Sequence, residues 1–375
     1  MVTLAELVAL DGELYDTPTL TLYLDGRSEN PAWRTAWRRS LKQEEQRLRR
    51  ELSDEAQAER EMFARNLEAL EAYLAHRRGA LDAPGWLGVV ADGRVRLDAS
   101  LRAVPPTCGA WRKGVALAPF LCASETDGRA WVVVADSRAA RIFRCDDDGV
   151  RRIDTVRTIP HPEREGAGVA GRGAATHPGT RGGVGREAAE RERREARSRM
   201  LRTLAEHVGA LSPRLPVFVG GTPQLLTEAI AAITAEGVQQ VTEAPVLGAR
   251  ARVSEIARAV RDGLLLLRRL AEQEMVADLL RRYASDNLAA AGGAITGRAL
   301  DERAVHTLVL STSFVALQPE VAEVFVRSAL AQDAWVEVVS GDAARTLEES
   351  GGVGVLLRFT PFHLSAAEEP ALAGV

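Results

Sequence analysis

Near the C-terminus the chain reads Val336-Glu-Val-Val-Ser-Gly-Asp-Ala-Ala-Arg-Thr-Leu-Glu-Glu-Ser-Gly-Gly-Val-Gly-Val-Leu-Leu-Arg-Phe359. Val336 to Val339 is a short β-branched run. Ala343 to Glu349 has helix-forming residues, and Gly351-Gly352 closes it. Val353 to Phe359 is again apolar. This is strand, helix, strand. Upstream, Thr307 to Leu310 reads as a further strand and Glu320 to Leu330 as an amphipathic helix. Strands that alternate with helices imply a sheet with parallel pairs and right-handed crossovers, hence an α/β domain. Two amphipathic helices, Ser254 to Leu270 and Glu272 to Leu288, precede it, and residues 249–375 are assigned to this domain.

The segment before it, 128–248, opens with Ala130 to Ala135 (AWVVVA). Alternating runs follow at Ala140 to Phe143 and Val150 to Val156, with Asp146 to Gly149 as the hairpin turn. From about 160 to 185 periodicity stops and glycines recur, at 166, 168, 171, 173, 179, 182, 183 and 185. A loop of that length inside a domain is functional or disordered as a rule. Regular structure is expected to resume as a helix from Arg186 to Val208, then a strand at Val217 to Val219, a helix at Pro223 to Ala235 and a strand at Val238 to Val241.

Residues 1–127 read as an α+β domain. Leu20 to Leu24 is a strand. Asn30 offers an N-cap and Pro31 a first helical position. Trp33, Trp37, Leu41, Leu48 and Leu52 then recur at helical spacing, and Phe63, Leu67, Leu70 and Leu74 mark a second helix. Strands are expected at Trp86 to Val90, Val95 to Leu97 and Val115 to Leu121. The whole is a three-domain α/β architecture: an α+β N-terminal domain and two α/β sandwich domains.

At 375 residues and a formal net charge of −4 the chain is too acidic to coat nucleic acid over its whole surface, so any RNA contact is local. No apolar run reaches the ~18–20 residues needed to cross a bilayer. Met1 to Leu10 has no basic n-region and does not read as a signal peptide. Cys108, Cys122 and Cys145 form no CxxC pair, which argues against a zinc ribbon or a disulfide framework. A reducing cytoplasm fits, with no membrane partner. There is no GxxxxGK[ST], no HExxH and no dense metal-ligand cluster, so no metal and no cofactor are implied. Gly220-Gly221-Thr222-Pro223 follows a strand and opens a helix, where either a tight turn or a phosphate would fit.

Two stretches carry a family resemblance. Arg298-Ala-Leu-Asp-Glu-Arg-Ala-Val-His-Thr-Leu-Val-Leu310 resembles the "AV-x-TLL" entry into a strand, and the quoted 336–359 segment resembles the "V-x-V-x-S … GG-(I/V)-x-x-(I/L)-LR-(Y/F)" ending of the archaeo-eukaryotic release-factor/Pelota family. Val132 to Phe143 is similar to the opening strands of that family's second domain, and there too a Gly-rich loop and a basic helix follow. The first domain resembles the family loosely, as in its bacterial, Balon-related branch. The resemblance implies a ribosome-binding translation factor, monomeric, that contacts rRNA and the tRNA 3′ end, with a translational GTPase as a further partner.

In release factors of the family a Gly-Gly-Gln tip enters the peptidyl transferase centre. The counterpart here is Arg181-Gly182-Gly183-Val184, and no Gln occurs between Gln57 and Gln224. Val has no side-chain donor or acceptor, so efficient peptidyl-tRNA hydrolysis is not expected and no catalytic residue is assigned. His161 and His177 lie in the same loop with nothing nearby to orient them. No Asn-Ile-Lys-Ser run exists for reading stop codons. Behind the loop Arg186, Arg191, Arg193, Arg194, Arg197, Arg199 and Arg202 crowd one helix, interleaved with Glu187, Glu190, Glu192 and Glu195. At i,i+3 and i,i+4 these pair off into a solvated face, yet a positive excess remains. Arg172, Arg181, Gly182, Gly183, Val184, Arg186, Arg193, Arg194 and Arg197 are therefore the candidate RNA-binding set. Trp33 and Trp37 are expected in the core.

The expected role is ribosome rescue or hibernation without hydrolysis. Two alternatives stand beside it: a peptidyl-tRNA hydrolase or tRNA nuclease of the quality-control branch, and an adaptor with no ribosomal role.

Overall fold

The structure, a computed structural model, describes residues 2–27, 36–75, 81, 83–123, 128–146, 149–158, 181–211 and 214–360, with the backbone alone for 181–189. The fold is mixed α/β, built on three sheets. The chain packs as two units, residues 126–268 and residues 1–125 together with 269–375.

In the unit of residues 126–268 the sheet holds β5 (Ala130–Ala135), β6 (Ala139–Asp146), β7 (Gly149–Arg157), β8 (Val217–Gly221) and β9 (Val241–Glu243), in the order β7-β6-β5-β8-β9. β5 pairs antiparallel with β6 and parallel with β8. All six β5 residues are buried, because both faces are covered. Trp131, Val133 and Ala135 face α5 (Arg181–Ala210) and α6 (Pro223–Ala235) through Leu204, Val208, Ala229 and Ile233. Ala130, Val132 and Val134 face Ile256, Ala259, Val260 and Leu264, early in α7 (Val253–Ala284). A strand covered on both sides reads as a continuous apolar run, which is why AWVVVA lacks polar alternation.

The other unit holds two sheets. In the first, β1 (Pro18–Asp25) lies between β2 (Gly85–Ala91) and β4 (Cys108–Lys113), with β3 (Arg94–Leu101) at the edge. Leu20, Leu22, Leu24 and Trp86 bury one face against α2 (Ala36–Glu51) and α3 (Gln57–Ala75). Trp37 is buried there, and Phe63, Leu67, Leu70 and Leu74 all point inward as their spacing predicts. Trp33 lies outside the described residues.

The second sheet has the order β10-β13-β11-β12, from β10 (Ala289–Ala291), β11 (Val305–Ser311), β12 (Trp335–Val339) and β13 (Val353–Leu357). β11 and β12 are parallel, joined by α9 (Thr312–Leu317) and α10 (Pro319–Leu330); β13, reached through α11 (Gly341–Glu348), runs antiparallel to β11. Leu308, Leu310, Val353 and Val355 share a single core with Tyr23, Leu87 and Val89 of the first sheet. Val309 and Val339 face Val276 and Leu279 of α7 and Leu347 of α11. α8 (Gly293–Asp301) precedes β11.

Several expectations are corrected. The two helices expected at 254–288 are one, α7, of 32 residues. Nothing at Leu270-Ala271-Glu272 stops a helix, and a continuous helix keeps every internal hydrogen bond. Residues 249–268, expected with the last domain, pack in the unit of 126–268. Val115 to Leu121, expected as a strand, is an irregular stretch at 115–117 leading into α4 (Ala118–Ala123). β4, β10, α9 and the N-terminal helix α1 (Leu4–Glu13) had no counterpart in the reading. α1 starts on a capping box, with Thr3 and Glu6 each bonding the other's backbone N–H.

Candidate nucleic-acid interface

α5 is a 30-residue helix of Arg, Glu and Ala, residues with high helix propensity. Its last third is anchored by Met200, Leu201, Leu204, Ala205 and Val208, all buried against the sheet. The N-terminal part carries the charge. The 160–185 loop was expected to extend through Gly182 and Gly183, yet α5 begins at Arg181, so Arg181, Gly182, Gly183, Val184 and Arg186 are helical. Each glycine costs a helix about 1 kcal/mol relative to Ala, and propagation from the strong helix-former run behind them outweighs this. Arg172, His161 and His177 lie outside the described residues.

Of the remaining candidates, Arg193 and Arg194 are exposed. Arg197 is not equivalent to them. It is half-buried, and its guanidinium sits 3.7 Å from Glu228 of α6, with a buried Nε that has no hydrogen-bond partner. Arg197 therefore helps to seat α5 on α6, and Glu228, invisible as a partner in the sequence, claims its charge. The helix brings Arg191, Arg193, Arg194 and Arg199 to solvent along two turns, with Glu190 and Glu195 exposed among them. Guanidinium groups held on a rigid rod at this density suit phosphate oxygens, which accept bidentate N–H donors.

The Gly220-Gly221-Thr222-Pro223 turn is structural. Gly221 has φ +129°, and a Cβ there would run into the Ala135 carbonyl of β5. The Gly221 N–H donates to Leu247 O (2.7 Å) and that of Thr222 to Ala135 O (3.0 Å), so neither N–H is left for an anion.

Among the described residues no group of His, Cys, Asp and Glu is placed to hold a metal ion, and no helix is long and apolar enough to cross a membrane.

No protein-family model and no curated protein sequence matches this chain. Solved structures do match. Pelota of Archaeoglobus fulgidus aligns over 73% of this chain and 80% of its own, at 16% identity and a TM-score of 0.42. The archaeal translation termination factor aRF1 aligns over 96% of this chain and 99% of its own, at 16% identity and a TM-score of 0.25. A ribosome-bound archaeal Pelota, solved with ABCE1, aligns over 95% and 94%, at 14% identity and a TM-score of 0.42.

Proposed function

We propose that this chain is a release-factor/Pelota-like, ribosome-binding translation factor of the bacterial branch, cytoplasmic and monomeric, acting in ribosome rescue or hibernation without efficient peptidyl-tRNA hydrolysis. The observation that carries the reading is the exposed Arg193–Arg194 pair on α5, directly behind the segment that resembles the family's Gly-Gly-Gln tip. The resemblance of the 298–310 and 336–359 stretches supports the choice of family. The functional division 1–127, 128–248 and 249–375 belongs to the proposal, as do the contact of Arg172, Arg181, Gly182, Gly183, Val184 and Arg186 with RNA and the engagement of a translational GTPase. Val184 at the third position of the tip removes the side chain that would orient water at the ester.

The test is co-sedimentation with ribosomes. Arg193→Glu/Arg194→Glu reverses two charges on an exposed helix face and leaves the Arg197–Glu228 pair in place. Binding driven by phosphates falls steeply as salt rises, and the double variant should pellet with ribosomes markedly less at the same salt. Wild-type protein that stays in the supernatant at low salt overturns the proposal. Undiminished pelleting of the double variant removes α5 from it. A release assay with peptidyl-tRNA at micromolar protein, showing turnover like a true release factor, would overturn the non-hydrolytic part.

A further inference from the structure

Between β7 and the later turns of α5 lies a cleft of about 320 Å³, lined by Asp154 and Arg157 from the strand and Arg199, Thr203 and His207 from the helix. His207 Nδ1 lies 2.8 Å from Asp154 Oδ2. The other carboxylate oxygen accepts the Thr155 N–H at 2.7 Å, which fixes the carboxylate on the strand. Beside an ionised carboxylate, Nδ1 carries the proton, so Nε2 is the nitrogen left for a ligand. Nε2 has no partner among the described residues. The charged groups that face His207 are Asp154 and Arg157 across the cleft and Arg199 on its own helix. Two guanidinium groups outweigh one carboxylate, and a protonated imidazole adds a further donor. Among the described residues neither Arg157 nor Arg199 is held by a carboxylate.

We propose that this cleft is a phosphate-binding site that takes a phosphodiester of single-stranded RNA or the phosphate of a mononucleotide. Arg157 and Arg199 grip the oxygens, the Thr203 hydroxyl donates to one of them, and His207, steered by Asp154, donates from Nε2 when charged. The volume suits a phosphate with its sugar, at the small end of ligand pockets. Three donor types around one apolar floor (Val156 and Met200 are both buried) fit a tetrahedral anion better than a planar carboxylate, which one Arg fork satisfies. The cleft shares α5 and Arg199 with the exposed arginine face but uses neither Arg193 nor Arg194, and it is tested without ribosomes, so failure of the Arg193/Arg194 test and failure of the cleft are distinguishable.

The full chain, labelled with ¹³C at histidine Cε1, is titrated by NMR with inorganic phosphate, uridine 5′-monophosphate and a short single-stranded oligouridylate at constant ionic strength. The His207 signal is assigned by its loss in His207→Gln. It should move as each ligand is added. Anisotropy of labelled oligouridylate should show binding that weakens about tenfold or more in Arg157→Gln/Arg199→Gln, whose exposed positions leave folding unaffected by circular dichroism. His207→Gln should keep part of the affinity. Oligouridylate binding that phosphate and the mononucleotide cannot displace assigns the site to RNA; displacement by either assigns it to free phosphates, and both outcomes support the site. A stationary His207 signal, or unchanged affinity in the double Arg variant, overturns it.

Discussion

Replacing Glu323 by Ala should strongly destabilise the unit of residues 1–125 and 269–375. Glu323 is 1% exposed on α10. Its carboxylate accepts the Leu117 N–H at 2.9 Å on both oxygens and the Ala118 N–H at 3.0 Å, capping the start of α4. Arg327 Nε lies 3.4 Å from one oxygen and Arg112 4.0 Å from the other. Arg327 also reaches Asp11 at 2.7 Å, and Asp11 accepts the Val115 N–H at 2.7 Å. Alanine would strand two buried N–H groups, at about 1–3 kcal/mol each, and remove one of the two carboxylates beside Arg327, leaving it Asp11 alone. Removing one member of a buried pair costs about 3–5 kcal/mol, a large part of a typical stability of about 5–15 kcal/mol. At about 2–4 °C per kcal/mol the melting temperature of this unit should fall by roughly 6–20 °C. Glu323→Gln, which keeps one acceptor, should cost less than half as much. Because the protein has two units, a single melting curve is the wrong readout. Hydrogen exchange by mass spectrometry on urea-stepped samples resolves them. Peptides spanning Leu117 and Ala118 should lose protection first, and those over β5 and β8 should not change. Destabilisation under about 1 kcal/mol, or equal loss over β5, would refute the argument.

Three further outcomes are expected. Gly263→Ala in α7 should destabilise the unit of 126–268 by about 1–3 kcal/mol despite better helix propensity, because the new Cβ meets the buried Phe218 ring; chemical denaturation of the variant checks it. Burial raises the Cys108 and Cys145 thiols from 9.0 to about 12, so both should resist iodoacetamide at pH 8 in the folded protein and react in urea. By linkage the neutral thiols favour the folded state below pH 9, and that contribution is lost as pH rises from about 9 towards 12; a stability plateau that extends unchanged above pH 10 in both wild type and a Cys108→Ser/Cys145→Ser variant would contradict it.

The elements that could be read from the sequence are those whose signal is local. β5 was legible because six apolar residues in succession fit a strand covered on both faces. α3 was legible from Phe63, Leu67, Leu70 and Leu74, and α6 because Pro223 marks its first turn. β10 was not, since three alanines carry no strand signal. They pair with β13 at Gly354, where a Cβ would crowd Leu279 and the Ala290 carbonyl. Val115 to Leu121 was apolar enough for either a strand or a short helix, and sequence periodicity does not arbitrate. The choice is made by Glu323, 206 residues from Leu117, which supplies the capping acceptor for the six-residue helix Ala118-Pro-Phe-Leu-Cys-Ala123.

The candidate site divides in the same way. The density of arginine on α5 could be read directly, but which arginine is available to a ligand could not. Arg197 and Arg193 look alike in sequence, and only the position of Glu228 on α6 separates a packing residue from an exposed one. Asp154 and His207 are 53 residues apart, and neither sits in a motif. Their pairing depends on β7 lying at the sheet edge beside α5, a consequence of strand order and not of spacing. The division of the chain into units follows the same logic. Periodicity predicts boundaries near 128 and 249. Compactness depends on which apolar faces remain uncovered when each sheet is complete. The face of Tyr23, Leu87 and Val89 is covered by residues beyond 289, so the first and last segments share a core that no local pattern announces. A substitution in that core, such as Leu87→Ala, should therefore loosen protection in β11 and β13 as well as in β1 and β2. Exchange confined to the first sheet would show that the two sheets are stabilised separately.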